Sequence, residues 1–143
     1  MKYIGLLASS ICVVCVLLVN SYYNIINLDI QKISSYVIEG NMILEDFITR
    51  EEQVLENKGE YISRLINIKD CMENSTTSFF TKKYKEYKVK SIENLINTIS
   101  NDEERNKYLE LVNKYNSLCE EELNSLLDKN LFEVTYLSTR AYY

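Results

Sequence analysis

The chain has 143 residues, with 16 basic and 21 acidic side chains, a net charge of −5, and no histidine, proline or tryptophan. Without imidazole there is no ready general base, no partner for a nucleophilic side chain and no histidine metal ligand, so catalysis is not expected and no cofactor is implied. The acidic balance opposes general affinity for nucleic acid.

Lys2 is followed by no charged side chain until Asp29, and Tyr3 to Val19 (YIGLLASSICVVCVLLV) is almost wholly apolar. At about 1.5 Å of rise per residue, these 17 residues span roughly 25 Å, close to the ~30 Å of a hydrocarbon core. Tyr22 and Tyr23 extend the match to the far headgroups. Residues 1–24 therefore read as a transmembrane anchor, touching the membrane through residues 3–24, and 25–143 as the body. The competing reading is a cleaved signal peptide with Val19-Asn20-Ser21 as its flank. An apolar run longer than about 7–15 residues and the lack of an Ala-x-Ala site favour retention. Lys2 and the amino terminus are the only positive flank. This predicts a single-pass protein of the cell membrane with a cytoplasmic N-terminus and an extracytoplasmic body. Cys12-Val-Val-Cys15 has the spacing of a zinc or redox pair, but within an apolar span it reads as two small apolar residues.

Beyond the anchor, Leu, Ile, Glu, Lys and Asn favour long helices with few corners, and the length suits one small domain. Ile26, Ile30, Ile33, Val37, Leu44, Phe47 and Val54 trace one stripe of a first helix, over 25–57. Such a stripe suits pairing with a helical protein partner or a second copy of the chain, and equally an internal core seam. Gly59 after Asn57-Lys58 resembles a helix end with a left-handed glycine. A second helix is expected over 60–99, with Asn74-Ser-Thr-Thr-Ser78 as poor helix sequence that bends or breaks it. Ser100-Asn-Asp-Glu103 reads as a capping box opening a third helix over 101–128. Lys129-Asn130 then marks a corner before a short fourth helix, 131–143. The expected fold is all-α: an N-terminal transmembrane helix followed by an antiparallel helical bundle, up-down-up plus a short fourth helix.

The short basic start, the membrane helix running into a long helix, and Thr98-Ile-Ser-Asn-Asp-Glu-Glu-Arg-Asn-Lys-Tyr-Leu-Glu-Leu-Val-Asn-Lys-Tyr115 together resemble the four-helix-bundle sensory domain of bacterial methyl-accepting chemotaxis receptors. The segment is similar to that family's second-to-third helix corner, and Lys129-Asn130 falls where the family turns into its fourth helix. The resemblance implies a sensory module of a bacterium that binds a ligand or partner and passes a helix displacement to the membrane. Ending at Tyr143 without a second apolar segment, the chain departs from such receptors, and a receptor fragment or stand-alone subunit is expected.

Arg50 and Arg64 flank the Gly59 corner and are the candidate ligand residues, since paired guanidinium groups hold a carboxylate in two-toothed fashion. Pairing with Glu51, Glu52 or Glu60 is the plainer alternative. Lys82, Lys83, Lys85, Lys88 and Lys90, interleaved with Tyr84 and Tyr87, form a basic patch suited to an anionic partner, or else a solvated face. Cys71 and Cys119 are expected as buried free thiols. With a turn at Ser100 they stand about 15 Å apart in height, whereas a turn at Asn74–Ser78 brings them level. Asn74-Ser-Thr76 matches a glycosylation triplet of the kind frequent in Asn-rich chains. The reading opposed to a receptor is a structural or assembly scaffold, a single-pass coiled-coil subunit of a membrane complex without a small-molecule ligand.

Overall fold

From Lys2 to Thr49 no proline and no run of poor helix formers interrupts the backbone, and a single 48-residue helix, α1, results. The computed structural model describes residues 2–140. After α1 (Lys2–Thr49) come α2 (Glu51–Glu56), α3 (Lys58–Asn74), α4 (Lys82–Ser100), α5 (Arg105–Leu127) and α6 (Leu131–Arg140), with no strand among the described residues. The chain is thus all-α, with one N-terminal helix long and apolar enough to cross a membrane and an antiparallel bundle beyond it.

In the apolar third of α1, Ile11, Val13, Val14, Val16 and Leu17 are all more than half exposed, so the bundle does not cover this stretch. From Tyr22 onward one face becomes core. Ile26, Ile33 and Phe47 are buried, Ile30, Val37 and Leu44 are half-buried, and Val54 continues the stripe in α2. The stripe is therefore an internal seam.

Three contacts set the direction of each helix. Asp29 of α1 meets the α3–α4 loop, Glu51 of α2 meets Arg105 at the start of α5, and Tyr22 meets the end of α5. Hence α1 leaves the apolar segment, α3 returns, α4 leaves again and α5 returns. This corrects the expected second helix over 60–99. Residues 75–81 form a turn, and the continuous helix becomes two antiparallel ones. The Lys85 ammonium reaches back to the carbonyls of Glu73 and Ser75 (3.2 and 2.8 Å), meeting acceptors that the end of α3 leaves unpaired.

Two expected boundaries move. Gly59 lies inside α3, and no glycine has positive φ; the chain instead bends at Arg50 (φ −141°, ψ 48°) and Asn57 (φ −108°, ψ 25°). The capping box at Ser100 does not form. Ser100 ends α4, Asn101 Oδ1 accepts the N–H groups of Glu103 and Glu104, and α5 starts at Arg105. The fourth corner stands where expected, and Asn130 caps α6. Its Oδ1 accepts from the N–H groups of Phe132 and Glu133, while Glu133 Oε2 accepts the Asn130 N–H. Residues 141–143 of the expected last helix lie outside the described residues.

The main core joins α1 to α5 around Phe47, Leu65, Met72, Leu95, Ile99 and Val112. A second cluster, Tyr22, Ile26, Phe80, Leu126 and Val134, closes the end nearer the apolar segment. Between α1 and α4 the helices approach so closely that a Cβ on Gly40 would overlap the Ile92 side chain. Gly40→Val is expected to destabilise the bundle by about 1–3 kcal/mol through overpacking, and Ile92→Val in the same chain to recover part of that loss. Thermal unfolding of the four proteins of this double-mutant cycle in detergent measures both effects.

Candidate functional site

Of the two tip arginines, Arg50 is exposed and lies 4.0 Å from Asp46, one turn earlier in α1. Arg64 donates through Nε and Nη2 to Glu39 Oε1 (3.2 and 3.1 Å), with its guanidinium 5.9 Å from the Tyr61 ring centroid. Glu39 and Asp46 are separated by about 10 Å of helix rise, so each guanidinium turns to its own carboxylate and the two are not brought to one point. The tip is instead tied by Arg105, which joins Glu51 of α2 (3.1 Å) to Asp102 before α5. Sequence reasoning passed over Arg105 because its partner lies 54 positions away.

The five lysines are likewise spoken for within the fold. Lys82 is near Glu86 (3.9 Å), and Lys83 pairs with Glu122 of α5 (3.0 Å) beside the Tyr87 ring. Lys85 caps α3, Lys88 donates to Asn116 Oδ1 (3.4 Å), and Lys90 lies over the Tyr115 ring. Lys83, Lys88 and Lys90 thus turn to α5, Lys85 to the end of α3 and Lys82 to its own helix, rather than all forming one cationic surface.

Among the described residues, the most enclosed charged group is Asp29, whose side chain is only 3% exposed. Its Oδ2 accepts the Ser78 N–H (2.8 Å) and the Thr81 hydroxyl (2.7 Å), and its Oδ1 accepts from Lys32 Nζ (3.3 Å). Lys32 also donates to the Thr76 carbonyl (3.0 Å), so one ion pair grips both ends of the turn. Burial disfavours the charged form, but the Ser78 hydroxyl beside it, the Thr81 hydroxyl, the Ser78 N–H and Lys32 together outweigh that. The Asp29 carboxyl is held below its ordinary value.

One turn closer to the apolar segment, a partly open cavity of about 350 Å³ is lined by Leu18, Tyr22, Ile25, Phe79, Phe80 and Ser138, among others. Tyr22 is covered by the bundle rather than exposed, and its hydroxyl donates to the Leu126 carbonyl (3.1 Å). Tyr23 donates to the carbonyls of Leu127 and Lys129 (3.1 and 3.3 Å). The pair terminates α5, which sequence reasoning missed because aromatic residues after an apolar run look the same in either role.

Cys71 and Cys119 are free thiols; Cys119 is buried as expected, whereas Cys71 is only half-buried. The turn at 75–81 brings them towards a common height, but they occupy different seams. Cys71 lies beside Asn67 and Tyr36, whereas Cys119 is buried with its thiol directed to the Tyr84 carbonyl (3.9 Å). Burial pushes the Cys119 thiol up to about 11. Among the described residues, no group of three or more Asp, Glu, His or Cys is placed to hold a metal ion. Comparison with protein-family models, with curated proteins and with solved structures gives no match.

Two outcomes are expected from this geometry. Asp29→Ala leaves the Ser78 N–H without an acceptor and the Thr81 hydroxyl with only the Ser78 carbonyl at 3.5 Å, and should cost roughly 2 kcal/mol at neutral pH. Because folding lowers the Asp29 value, its stabilisation is full above the ordinary carboxylate range and is lost as pH falls through the folded value. The difference in Tm between Asp29→Ala and the parent should therefore narrow towards pH 3. In a Cys12→Ser, Cys15→Ser background, maleimide at pH 8 should label Cys71 and spare Cys119 until the bundle is unfolded, as mass spectrometry of tryptic fragments would show.

Proposed function

We propose that the chain is a non-catalytic, single-pass membrane protein whose N-terminus is cytoplasmic. Its extracytoplasmic bundle binds a ligand or protein partner and passes a small displacement of α1 to the membrane. The observation that carries this reading is the continuity of α1, one helix from the apolar segment to the far end of the bundle core. A rigid helix shared by both parts transmits a shift at one end to the other, whereas a jointed connection would absorb it. The four antiparallel helices α1, α3, α4 and α5 match a chemoreceptor sensory domain in number but not in register, because 98–115 joins the third of them to the fourth and Lys129-Asn130 follows the fourth.

A specific observation favours the scaffold as a second reading. Arg50 and Arg64 already face carboxylates of the chain, and Ile38 and Met42 lie exposed one turn apart on the side of α1 turned away from the core. That side, and not the internal stripe, is the part of the first helix left for a second copy or a helical partner.

Thermal shift of the detergent-solubilised chain against a panel of small carboxylates tests the receptor reading. A stabilising anion whose effect disappears in Arg64→Ala is the expected outcome, with Arg64→Ala alone costing about 1 kcal/mol or less because its ion pair is half-exposed. No shift with any anion, together with disulfide cross-linking of Met42→Cys to its own copy in membranes, would replace that reading with the scaffold.

A further inference from the structure

We propose that α6 and the adjoining loop edges form a second, interfacial foothold on the bilayer that α1 crosses, with the outward residues of α6 seated among the lipid headgroups. The inference rests on the reading that α1 spans a membrane. A hydrocarbon core of ~30 Å takes about 20 helical residues, so a span that opens at Tyr3 reaches the outer headgroups near Tyr22. The level of α6 relative to α1 is set by contacts already described. Tyr22 and Tyr23 bond the last carbonyls of α5 and that of Lys129, just before α6. Val134 packs with Tyr22 and Ile26, and Ser138 shares a cavity with Leu18 and Ile25. Helix α6 therefore lies beside the stretch of α1 from about Leu18 to Ile26, the level at which the apolar span meets water.

Its outward side has the chemistry of that level. Phe132 is 83% exposed and Tyr136 61%, four residues apart and thus neighbours on one helix face, with Leu131 beside them. Leu127 at the end of α5 and Phe79, which lines the same cavity as Leu18, are also exposed. Elsewhere on the bundle the exposed large apolar residues, such as Met42, Ile48 and Ile66, are spread along its length. An exposed patch of Phe, Tyr and Leu at one level, rather than singly, marks a surface that meets something apolar, and aromatic residues with a wet edge suit the interface. Asp128 and Glu133 flank Lys129 here, so attraction to anionic headgroups contributes little and the contact is expected in neutral lipid and at high salt.

The chain has no tryptophan, so a single introduced one reports its own surroundings. Phe132→Trp, Tyr136→Trp, Leu17→Trp and Met42→Trp are each prepared in the full chain and reconstituted in phosphatidylcholine vesicles, with and without lipids brominated near the headgroup end of the acyl chain. At 83% exposure, Phe132 accepts the change without disturbing the core. The foothold predicts blue-shifted emission for Phe132→Trp and Tyr136→Trp, quenched severalfold more than Met42→Trp and little affected by salt. Quenching of Leu17→Trp with Phe132→Trp and Tyr136→Trp behaving like Met42→Trp overturns the foothold and leaves the membrane span standing. A blue shift without bromine quenching also overturns it, since a protein surface then covers α6. Quenching at neither Leu17→Trp nor Phe132→Trp removes the span and the foothold together.

Discussion

The Asp29 carboxylate is the constraint on which the rest of the bundle depends. Between Asn74 and Lys82 the chain reverses through a Ser- and Thr-rich turn, whose ends bond to the flanking helices through the Ser75 N–H and the Thr81 carbonyl. A buried anion on α1 supplies the acceptor for the Ser78 N–H and the Thr81 hydroxyl, and Lys32 supplies the donor for the Thr76 carbonyl. A buried charge is costly alone and favourable only when its lone pairs are filled, so the site rewards one backbone path of the turn and penalises others. With the turn placed there, α3 ends and α4 begins, and Ile92 of α4 is set against Gly40. Cys119 of α5 likewise comes to rest on Tyr84.

The two ends of the bundle are closed by different physics. At the far end Arg105, only 22% exposed, joins Glu51 to Asp102 beside the buried apolar side chains of Phe47, Val54 and Ile99. Near the apolar segment the join is made by rings and helix termini. Tyr22 packs edge-on against Phe80, with ring centroids 5.0 Å apart, and its hydroxyl stops α5.

What was legible in the sequence was whatever repeats locally. The period of the α1 stripe, the apolar run before Asp29 and the Asn130 corner are all written within a few residues of one another, and each stands where expected. Gly59 misled because glycine also occurs in exposed first turns of helices, where nothing requires positive φ. The 60–99 segment looked continuous because Met72, Phe79 and Tyr84 keep an apolar rhythm across the Ser/Thr turn, and only the Asp29 contact, 49 to 52 positions away, reveals the reversal. At the α4–α5 corner the cap was sought on Ser100, but the neighbouring Asn101 has the longer reach and takes both free N–H groups. The candidate arginines and lysines were chosen by charge, and charge does not reveal that Glu39, Glu122 and the end of α3 already engage them.

Because α1 is unbroken, the apolar segment and the core stripe share one angular phase as well as one axis. Each residue of an α-helix turns the chain by about 100°, so a single residue inserted between Leu17 and Tyr22 would swing the whole bundle by more than a quarter turn about the segment beneath it. Four residues would restore nearly the original heading, raised by about 6 Å. The length of that short stretch therefore acts as a compass setting. It decides which side of the bundle faces a given direction about the axis of the apolar segment, independently of anything inside the bundle itself.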